Sequence, residues 1–293
     1  MAEESKRVSV KEWFGLKRDN FVLKPKENAE DRKFYASRPN SVNIQSQITG
    51  LEVRLESKLS PKRLYWGPYG SGKTHTLYKV LEALTALGLD IHVAFVECPA
   101  LKKTSTFTEL YNRAMSEIGM DFVIILLKDV MNATVKQVGF AEAEIVQRKI
   151  MEIMDDEDLG RATYSFVTAG PQFDPMVLWR WITASDISTA ERDKLRVTSD
   201  LRTADPERLT NILITLGRLL REHKNKTLVL VFDELDRTKD IGSLDAQVTF
   251  STAFTRLTDP AQDYVTAFLA ASASRIQELP EIISAPVQNR LGK

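Results

Sequence analysis

Residues 67–74 have the types and spacing of a phosphate-binding loop. They read Gly-Pro-Tyr-Gly-Ser-Gly-Lys-Thr and match the pattern G-x-x-x-x-G-K-S/T at every position. Glycines at these places let successive backbone N–H groups point into one concavity, to which the first turn of a following helix adds its positive dipole end. We expect a polyphosphate there, with Lys73 at its β- and γ-phosphates and the Thr74 hydroxyl on Mg²⁺.

The flanks of this loop favour a binding site over a glycine-rich turn that ends in Lys-Thr by chance. Apolar Leu64–Trp66 precede the loop as a short strand, and a helix-forming run follows it, which is the context that the mechanism requires. The predicted contacts to the nucleotide come from Gly67, Pro68, Tyr69, Gly70, Ser71, Gly72, Lys73, Thr74 and His75.

A second pair of chemical groups follows the most strand-like run of the chain. Leu228–Phe232 is continuously apolar, and Asp233 and Glu234 come directly after it. Ligands bind beyond the carboxyl ends of parallel strands, so an aspartate there can hold Mg²⁺ while the adjacent glutamate polarises a water. Taken alone, such a pair is typical of a surface turn or a helix cap. Together with the loop, it predicts a metal site at Thr74 and Asp233 and a general base at Glu234.

Further candidates follow a predicted strand over residues 265–271. Ser274 and Ser272 could touch the attacking water or the γ-phosphate, and small residues that merely end a strand are the alternative. Arg275 and Arg290 lie beyond them. An arginine supplied to a neighbouring subunit's nucleotide raises the hydrolysis rate by about 10³–10⁵, and a surface arginine is the alternative.

The apolar periodicity predicts the elements that position these groups. Helical spacing predicts helices over residues 44–59, 77–87, 106–119 and 206–223. Short apolar runs predict strands over residues 64–66, 92–96, 228–232 and 265–271. Thr106 and Glu109 have the spacing of a capping box. Alternating strands and helices predict an α/β fold with a parallel sheet.

Four stretches together resemble the AAA+ ATPases, and among them the origin-recognition and helicase-loader proteins of the replication-initiator branch. They are Gly67–Thr74, Leu228–Glu234, the strand that ends near Ser274, and the closing segment Leu279–Gly292. The resemblance implies binding of ATP and Mg²⁺, hydrolysis of ATP, and a homo-oligomer with nucleotide at the subunit interfaces, where Arg290 reaches the next subunit. It also implies DNA, or a larger protein complex, as a partner.

Two features depart from this family. Residues 120–205 are an addition to a minimal AAA+ core, and the stretches 178–181 and 195–197 are similar to ATPases of bacterial anti-phage systems of the BREX type. The family has a helical lid after the segment that Gly292 ends, and we expect either that the chain has been shortened before this lid or that the lid comes from elsewhere. Before the loop, Arg38-Pro39 resembles the family's adenine-side element.

The expected fold is a three-layer α/β P-loop ATPase domain with a parallel sheet between helices. We divide the chain into a basic and aromatic arm at 1–43, the first part of the ATPase core at 44–119, a mainly helical insertion at 120–205 and the second part of the core at 206–293. The arm could contact nucleic acid, although a solvated face is the commoner use of such a charge run.

Two features of the insertion allow alternative interpretations. The acidic run Asp155–Asp158 could bind a cation, but it lacks the spacing of a calcium loop, and a solvated turn is favoured. Trp179 and Trp181 could stack on bases, but tryptophans near leucines are more often core residues.

The composition excludes several classes of protein. The chain has 293 residues with 40 Lys+Arg and 40 Asp+Glu, so no net charge argues for nucleic acid or membrane binding. Cys98 is the single cysteine, which excludes an intrachain disulfide, argues against a zinc site and indicates a reducing compartment. The N-terminus lacks an apolar signal core and no apolar run is long enough to span a membrane, so we expect a cytoplasmic protein.

Two alternatives to a hydrolysing motor stay open. A signalling switch of the STAND kind would hold ATP in an oligomer with slow turnover, and Phe268–Arg275 suits it because that group places an arginine past its fourth strand. A DNA-binding scaffold with little catalysis is the other, and its DNA affinity would fall steeply with salt.

Overall fold

The structure is a computed structural model that describes residues 44–99, 101, 105–138, 143–241 and 243–291. The predicted arm at 1–43, which includes Arg38-Pro39, lies outside the described residues, and so does Gly292. Within the described part of the chain, no helix combines the length and the apolar character that crossing a bilayer requires.

Four parallel strands form one sheet in the order β1-β4-β3-β2. They are β1 Lys62–Gly67, β2 Ile91–Glu97, β3 Thr227–Asp233 and β4 Val265–Ser272. Each contains a predicted strand and extends it by one or two residues at an end. Nearly every residue of β3 and β4 is buried, which explains why their sequences are continuously apolar rather than alternating.

Helices cover both faces of the sheet and so make three layers. On one face, α1 (Ile44–Glu56) and α2 (Lys73–Ala86) bury their apolar stripes against Val229, Val231 and Phe268. The alternate side chains of β3 and β4 belong to a second, larger core on the other face. The predicted α/β architecture with a parallel sheet is confirmed.

The helices that follow β2 build the layer on that second face. They are α3 Phe107–Ile118, α4 Met120–Val138, α5 Ala143–Met154, α6 Glu157–Ala169, α7 Pro175–Ile182, α8 Thr189–Leu195, α9 Pro206–Lys224, α10 Leu244–Leu257 and α11 Ala285–Arg290. Short 3₁₀-helices lie at Gly170–Gln172, Leu201–Thr203, Leu235–Asp240 and Ile276–Glu278. The four helices predicted outside residues 120–205 are present as α1, α2, α3 and α9.

The described residues of 120–205 are mainly helical, as predicted, and share one apolar core with the sheet. Trp181 is fully buried in the same cluster as Phe232 of β3, and its indole N–H donates to the Ser199 carbonyl at 3.1 Å. Trp179 is half-buried against this cluster. The interpretation as a core residue is confirmed for Trp181, whereas Trp179 packs against the border of that core.

Neither interpretation of the acidic run fits Asp158. Its side chain is buried and accepts hydrogen bonds from Thr198, Ser199 and the Arg208 guanidinium. Burial raises the pKa of Asp158, but these donors outweigh burial and hold the pKa below its usual value. Asp155 is exposed, as a solvated turn predicts. The donors to Asp158 come from residues 40 to 50 positions away, which the run itself does not reveal.

The predicted capping box at Thr106 and Glu109 is wrong. Thr106 is the N-cap of α3, but its hydroxyl makes no capping bond, and the Glu109 carboxylate accepts from the Ser105 hydroxyl at 3.0 Å. A capping box does form at Ser188 and Glu191, where α8 begins. Spacing alone does not decide which of two adjacent hydroxyls a carboxylate binds.

Close packing of α9 against the start of β4 requires glycine at position 217. A Cβ there would lie 2.6 Å from Val265 Cγ2 and 2.7 Å from the Tyr264 carbonyl oxygen. We expect Gly217→Ala to lower the free energy of unfolding by about 1–3 kcal/mol, because overpacking outweighs the better helix propensity of alanine. Urea unfolding measures this change.

Gly50→Ala is the matched control within a helix. A Cβ at Gly50 in α1 meets nothing within 4 Å, so this substitution should stabilise by about 0.5–1 kcal/mol. Equal stability of the Gly217→Ala and Gly50→Ala proteins would contradict the close approach of α9 to β4.

Candidate functional site

The loop between β1 and α2 contains two glycines with positive φ directly before a helix. Gly70 and Gly72 have φ of 73° and 87°, which a residue with a side chain rarely adopts. A Cβ at either position would meet nothing within 4 Å, so conformation and not space requires glycine. α2 begins at Lys73, and its N-cap Gly72 has no side chain for the helix's first N–H groups. An anion at this helix end is stabilised by those groups and by the helix dipole.

Lys73 folds back over the loop that precedes it. Its Nζ donates to the carbonyl oxygens of Gly67 and Pro68, each at 3.1 Å. Burial lowers the pKa of Lys73, and the carboxylates of Asp236 and Asp233 partly offset that effect. The ammonium therefore lies beside the loop, where phosphate oxygens can replace the two carbonyls as acceptors.

The other predicted contact residues of the loop differ in exposure. Pro68 and Tyr69 are exposed, and Tyr69 reaches 93% of its full accessible area. Ser71 is half-buried, and its hydroxyl lies 3.5 Å from the Lys73 ammonium. His75 is half-buried in the first turn of α2. The Lys73 ammonium thus has the carbonyls of Gly67 and Pro68 and the Ser71 hydroxyl as its neighbours in the loop.

The structure brings the two predicted metal ligands together. The Thr74 hydroxyl donates to Asp233 Oδ2 at 2.6 Å, although the residues are 159 positions apart. Asp233 ends β3 and is 1% exposed. Its other oxygen, Oδ1, accepts the Glu234 N–H at 2.8 Å. Both carboxylate oxygens therefore have donors, as a buried charge requires.

This oxygen pair fits Mg²⁺ better than a metal held by protein alone. The described residues contain no group of three or more His, Cys, Asp or Glu that could hold a metal ion. Mg²⁺ is usually bound through one or two carboxylates together with substrate phosphates and waters. Thr74 and Asp233 would supply the protein's part of such a set, which is one hydroxyl and one carboxylate.

Glu234 is held in an unusual conformation. Its φ is 58°, in the left-handed region, and its carboxylate pairs with the Arg237 guanidinium at 2.5 Å. Arg237 also pairs with Glu97 at 3.2 Å and donates to the Cys98 carbonyl at 2.7 Å. Glu97 is the last residue of β2. Through Arg237, the carboxylate of the predicted general base Glu234 is thus linked to the end of β2.

Sequence reasoning missed Asp236, Arg237 and Glu97. The 3₁₀-helix over Leu235–Asp240 brings the first two back beside the strand ends, where Asp236 Oδ1 accepts the Ser272 N–H at 2.7 Å. The spacing of three between Glu234 and Arg237 was a readable signal for an ion pair. Glu97 had no such signal, because its partner lies on another strand's continuation.

Of the two candidate serines, only Ser272 lies beside the loop. It ends β4 and is in register with Gly67, the last residue of β1. Ser274 is exposed, and its N–H donates to the Glu278 carboxylate at 3.0 Å. Arg275 is also exposed. Ser274 is not brought into contact with Lys73, Thr74 or Asp233, and its predicted role stays a prediction.

Arg290 is bonded within its own chain. It is half-buried at the end of α11, and its guanidinium donates to the Thr255 carbonyl in α10 at 2.5 Å. The predicted reach toward a neighbouring subunit's nucleotide stays a prediction.

Comparison with known proteins adds no family to this picture. No protein-family model matches the sequence, and no curated protein matches it either. The function proposed below is therefore inferred from the geometry of the site and from sequence motifs.

Removing the Thr74 hydroxyl should destabilise the protein even without nucleotide. Thr74→Val keeps the side-chain shape but leaves a buried carboxylate oxygen of Asp233 without this donor, so we expect a loss of about 1.5–3 kcal/mol in the free energy of unfolding. Thr74→Ser keeps the hydroxyl and is the control. Urea unfolding that gives the same stability for the valine and serine variants would show that this hydroxyl does not bond Asp233.

Proposed function

We propose that this chain is a P-loop ATPase of the AAA+ type, which binds ATP with Mg²⁺ and hydrolyses ATP to ADP and phosphate. The observation that carries the proposal is the 2.6 Å hydrogen bond between Thr74 and Asp233. It joins the residue after an anion-binding loop to the acid at the end of a buried strand. That is the pairing that ATP and Mg²⁺ binding requires in this class of enzymes.

Each residue of the site has a role in the proposed reaction. The loop N–H groups and Lys73 bind the β- and γ-phosphates, while Thr74 and Asp233 hold the metal ion. When bound, Mg²⁺ neutralises negative charge on these phosphates. Glu234 accepts a proton from the attacking water, whose oxygen bonds to the γ-phosphorus as the bond from that phosphorus to the β–γ bridging oxygen breaks.

The wider role proposed for the chain comes from its resemblance to AAA+ initiators and BREX-type ATPases. On the basis of this resemblance, the chain would act as an oligomeric motor or switch in DNA transactions or anti-phage defence. Arg290 would then serve a neighbouring subunit, and DNA or a larger complex would be the partner. The balanced charge of the chain gives DNA binding no independent support.

A slow switch of the STAND kind is a second candidate, and one contact favours it. The proposed base, Glu234, is paired with Arg237 rather than left next to the loop. A base held this way would be less available to the attacking water, so the protein would bind ATP but turn it over slowly. The two candidates share the binding site and differ in rate.

Two substitutions separate binding from hydrolysis. Lys73→Ala should abolish ATP binding because it removes the cation at the β- and γ-phosphates. Glu234→Gln should bind ATP normally and hydrolyse it about 10²–10⁴ times more slowly, because the amide accepts no proton. Equilibrium dialysis measures the first effect and phosphate release the second.

Lys79→Ala is the matched control for the lysine. Lys79 also lies on α2, but it pairs with Glu82 at the surface, so its loss should change neither binding nor turnover. Hydrolysis by the Glu234→Gln protein at the wild-type rate would refute the base assignment, and tight ATP binding by Lys73→Ala would refute the site.

A further inference from the structure

We propose that Arg237 is a positioning residue that holds the Glu234 carboxylate toward β2 and thereby limits the rate of hydrolysis. This inference rests on the proposed function of Glu234 as the base. In addition, Arg237 sets the fraction of molecules in which Glu234 can accept the proton of the attacking water.

Arg237 contacts Glu234 through both its backbone and its side chain. The Arg237 N–H donates to the Glu234 carbonyl at 3.0 Å, and the guanidinium pairs with the Glu234 carboxylate at 2.5 Å. The same guanidinium is anchored by the Glu97 carboxylate and the Cys98 carbonyl. An arginine can bridge several acceptors in this way because its five N–H donors have a fixed geometry.

Glu97 and Cys98, which hold the Arg237 guanidinium, lie on the side of β3 away from the phosphate-binding loop. In the strand order β1-β4-β3-β2, the loop follows β1, whereas Glu97 and Cys98 are at the end of β2. The carboxylates of Asp233 and Glu234 therefore have different partners. Asp233 bonds Thr74 beside the loop, and Glu234 pairs with a cation fixed to the opposite neighbour of β3.

The backbone of Glu234 supports the same conclusion. A φ of 58° is unfavourable for a residue with a side chain and persists only where surrounding contacts impose it. Those contacts include the Arg237 bonds and the Glu234 N–H bond to Asp233 Oδ1. Loss of the Arg237 side chain removes the ion pair that draws the Glu234 carboxylate toward β2 and leaves the bond between Thr74 and Asp233 in place.

The ion pair between Glu234 and Arg237 is moderate in strength. The side chains of Glu234 and Arg237 are 35% and 38% exposed, so water competes for both groups. The hydrolysis rate scales with the fraction of molecules in which the base is free. Releasing Glu234 should therefore raise the rate by about threefold to tenfold.

The test compares kcat and KM for ATP in the wild type, Arg237→Gln, Glu234→Gln and the double variant. We expect Arg237→Gln to raise kcat by about threefold to tenfold and to leave KM within about twofold. The double variant should fall to the rate of Glu234→Gln alone, because Arg237 acts through Glu234. Arg237→Lys, which keeps the charge but cannot bridge the same acceptors, should give an intermediate kcat.

Arg202→Gln is the matched control for loss of an exposed arginine. Arg202 is 45% exposed and pairs with Asp186 and Asp200, which are not part of the site. Its loss should leave kcat unchanged. Urea unfolding of each variant establishes that it is folded, and the Arg237→Lys protein provides the measurement if Arg237→Gln does not fold.

The outcomes separate this inference from the proposed function. A kcat for Arg237→Gln at or below the wild-type value overturns the inference, as does a double variant that keeps the raised rate. No turnover in either the wild type or Arg237→Gln, with ATP bound by both, also overturns it. Turnover that appears only after Arg237→Gln supports it. ATP binding that survives Lys73→Ala refutes the proposed function itself.

Discussion

One hydrogen bond, from the Thr74 hydroxyl to the Asp233 carboxylate, joins the two halves of the candidate site. It depends on the direction and order of the strands, because the loop follows β1 and the acid ends β3, with β4 between them. Carboxyl ends of parallel strands share one edge of a sheet, so both groups arrive at that edge. An antiparallel β3 would place Asp233 at the opposite edge, far from the loop.

The donors that a buried Asp233 carboxylate needs for stability also position the residues of the candidate site. A carboxylate that is 1% exposed needs donors, and it receives them from the Thr74 hydroxyl and the Glu234 N–H. The second of these bonds helps to fix Glu234 in the left-handed region, and Arg237 completes the arrangement from the β2 side. The acid that would hold the metal and the acid that would activate water are thus adjacent in sequence but held by different neighbours.

The sequence was sufficient for the parallel sheet and for the proximity of Thr74 to Asp233, because both follow from local patterns. Apolar runs marked each strand among the described residues, and the acid after one run lies 2.6 Å from the hydroxyl that follows the loop after another. It was insufficient wherever a contact is made by residues without a shared local pattern. Arg237 meets Glu97 from 140 positions away in the chain (237 − 97 = 140), and Asp158 is satisfied by donors from a distant segment. The error at Thr106 has a different cause, since the neighbouring hydroxyl of Ser105 bonded the carboxylate instead.

We propose above all that the loop, Lys73, Thr74 and Asp233 bind a triphosphate together with Mg²⁺. The most direct measurement is equilibrium binding of ATP, ADP and AMP to the wild-type protein, each with Mg²⁺ and with EDTA. We expect tight binding of ATP and ADP that depends on Mg²⁺, and binding of AMP weaker by about 100-fold or more, because AMP lacks the phosphates that Lys73 would contact. AMP binding as tight as ATP binding, or an ATP affinity that EDTA does not change, would contradict the claim.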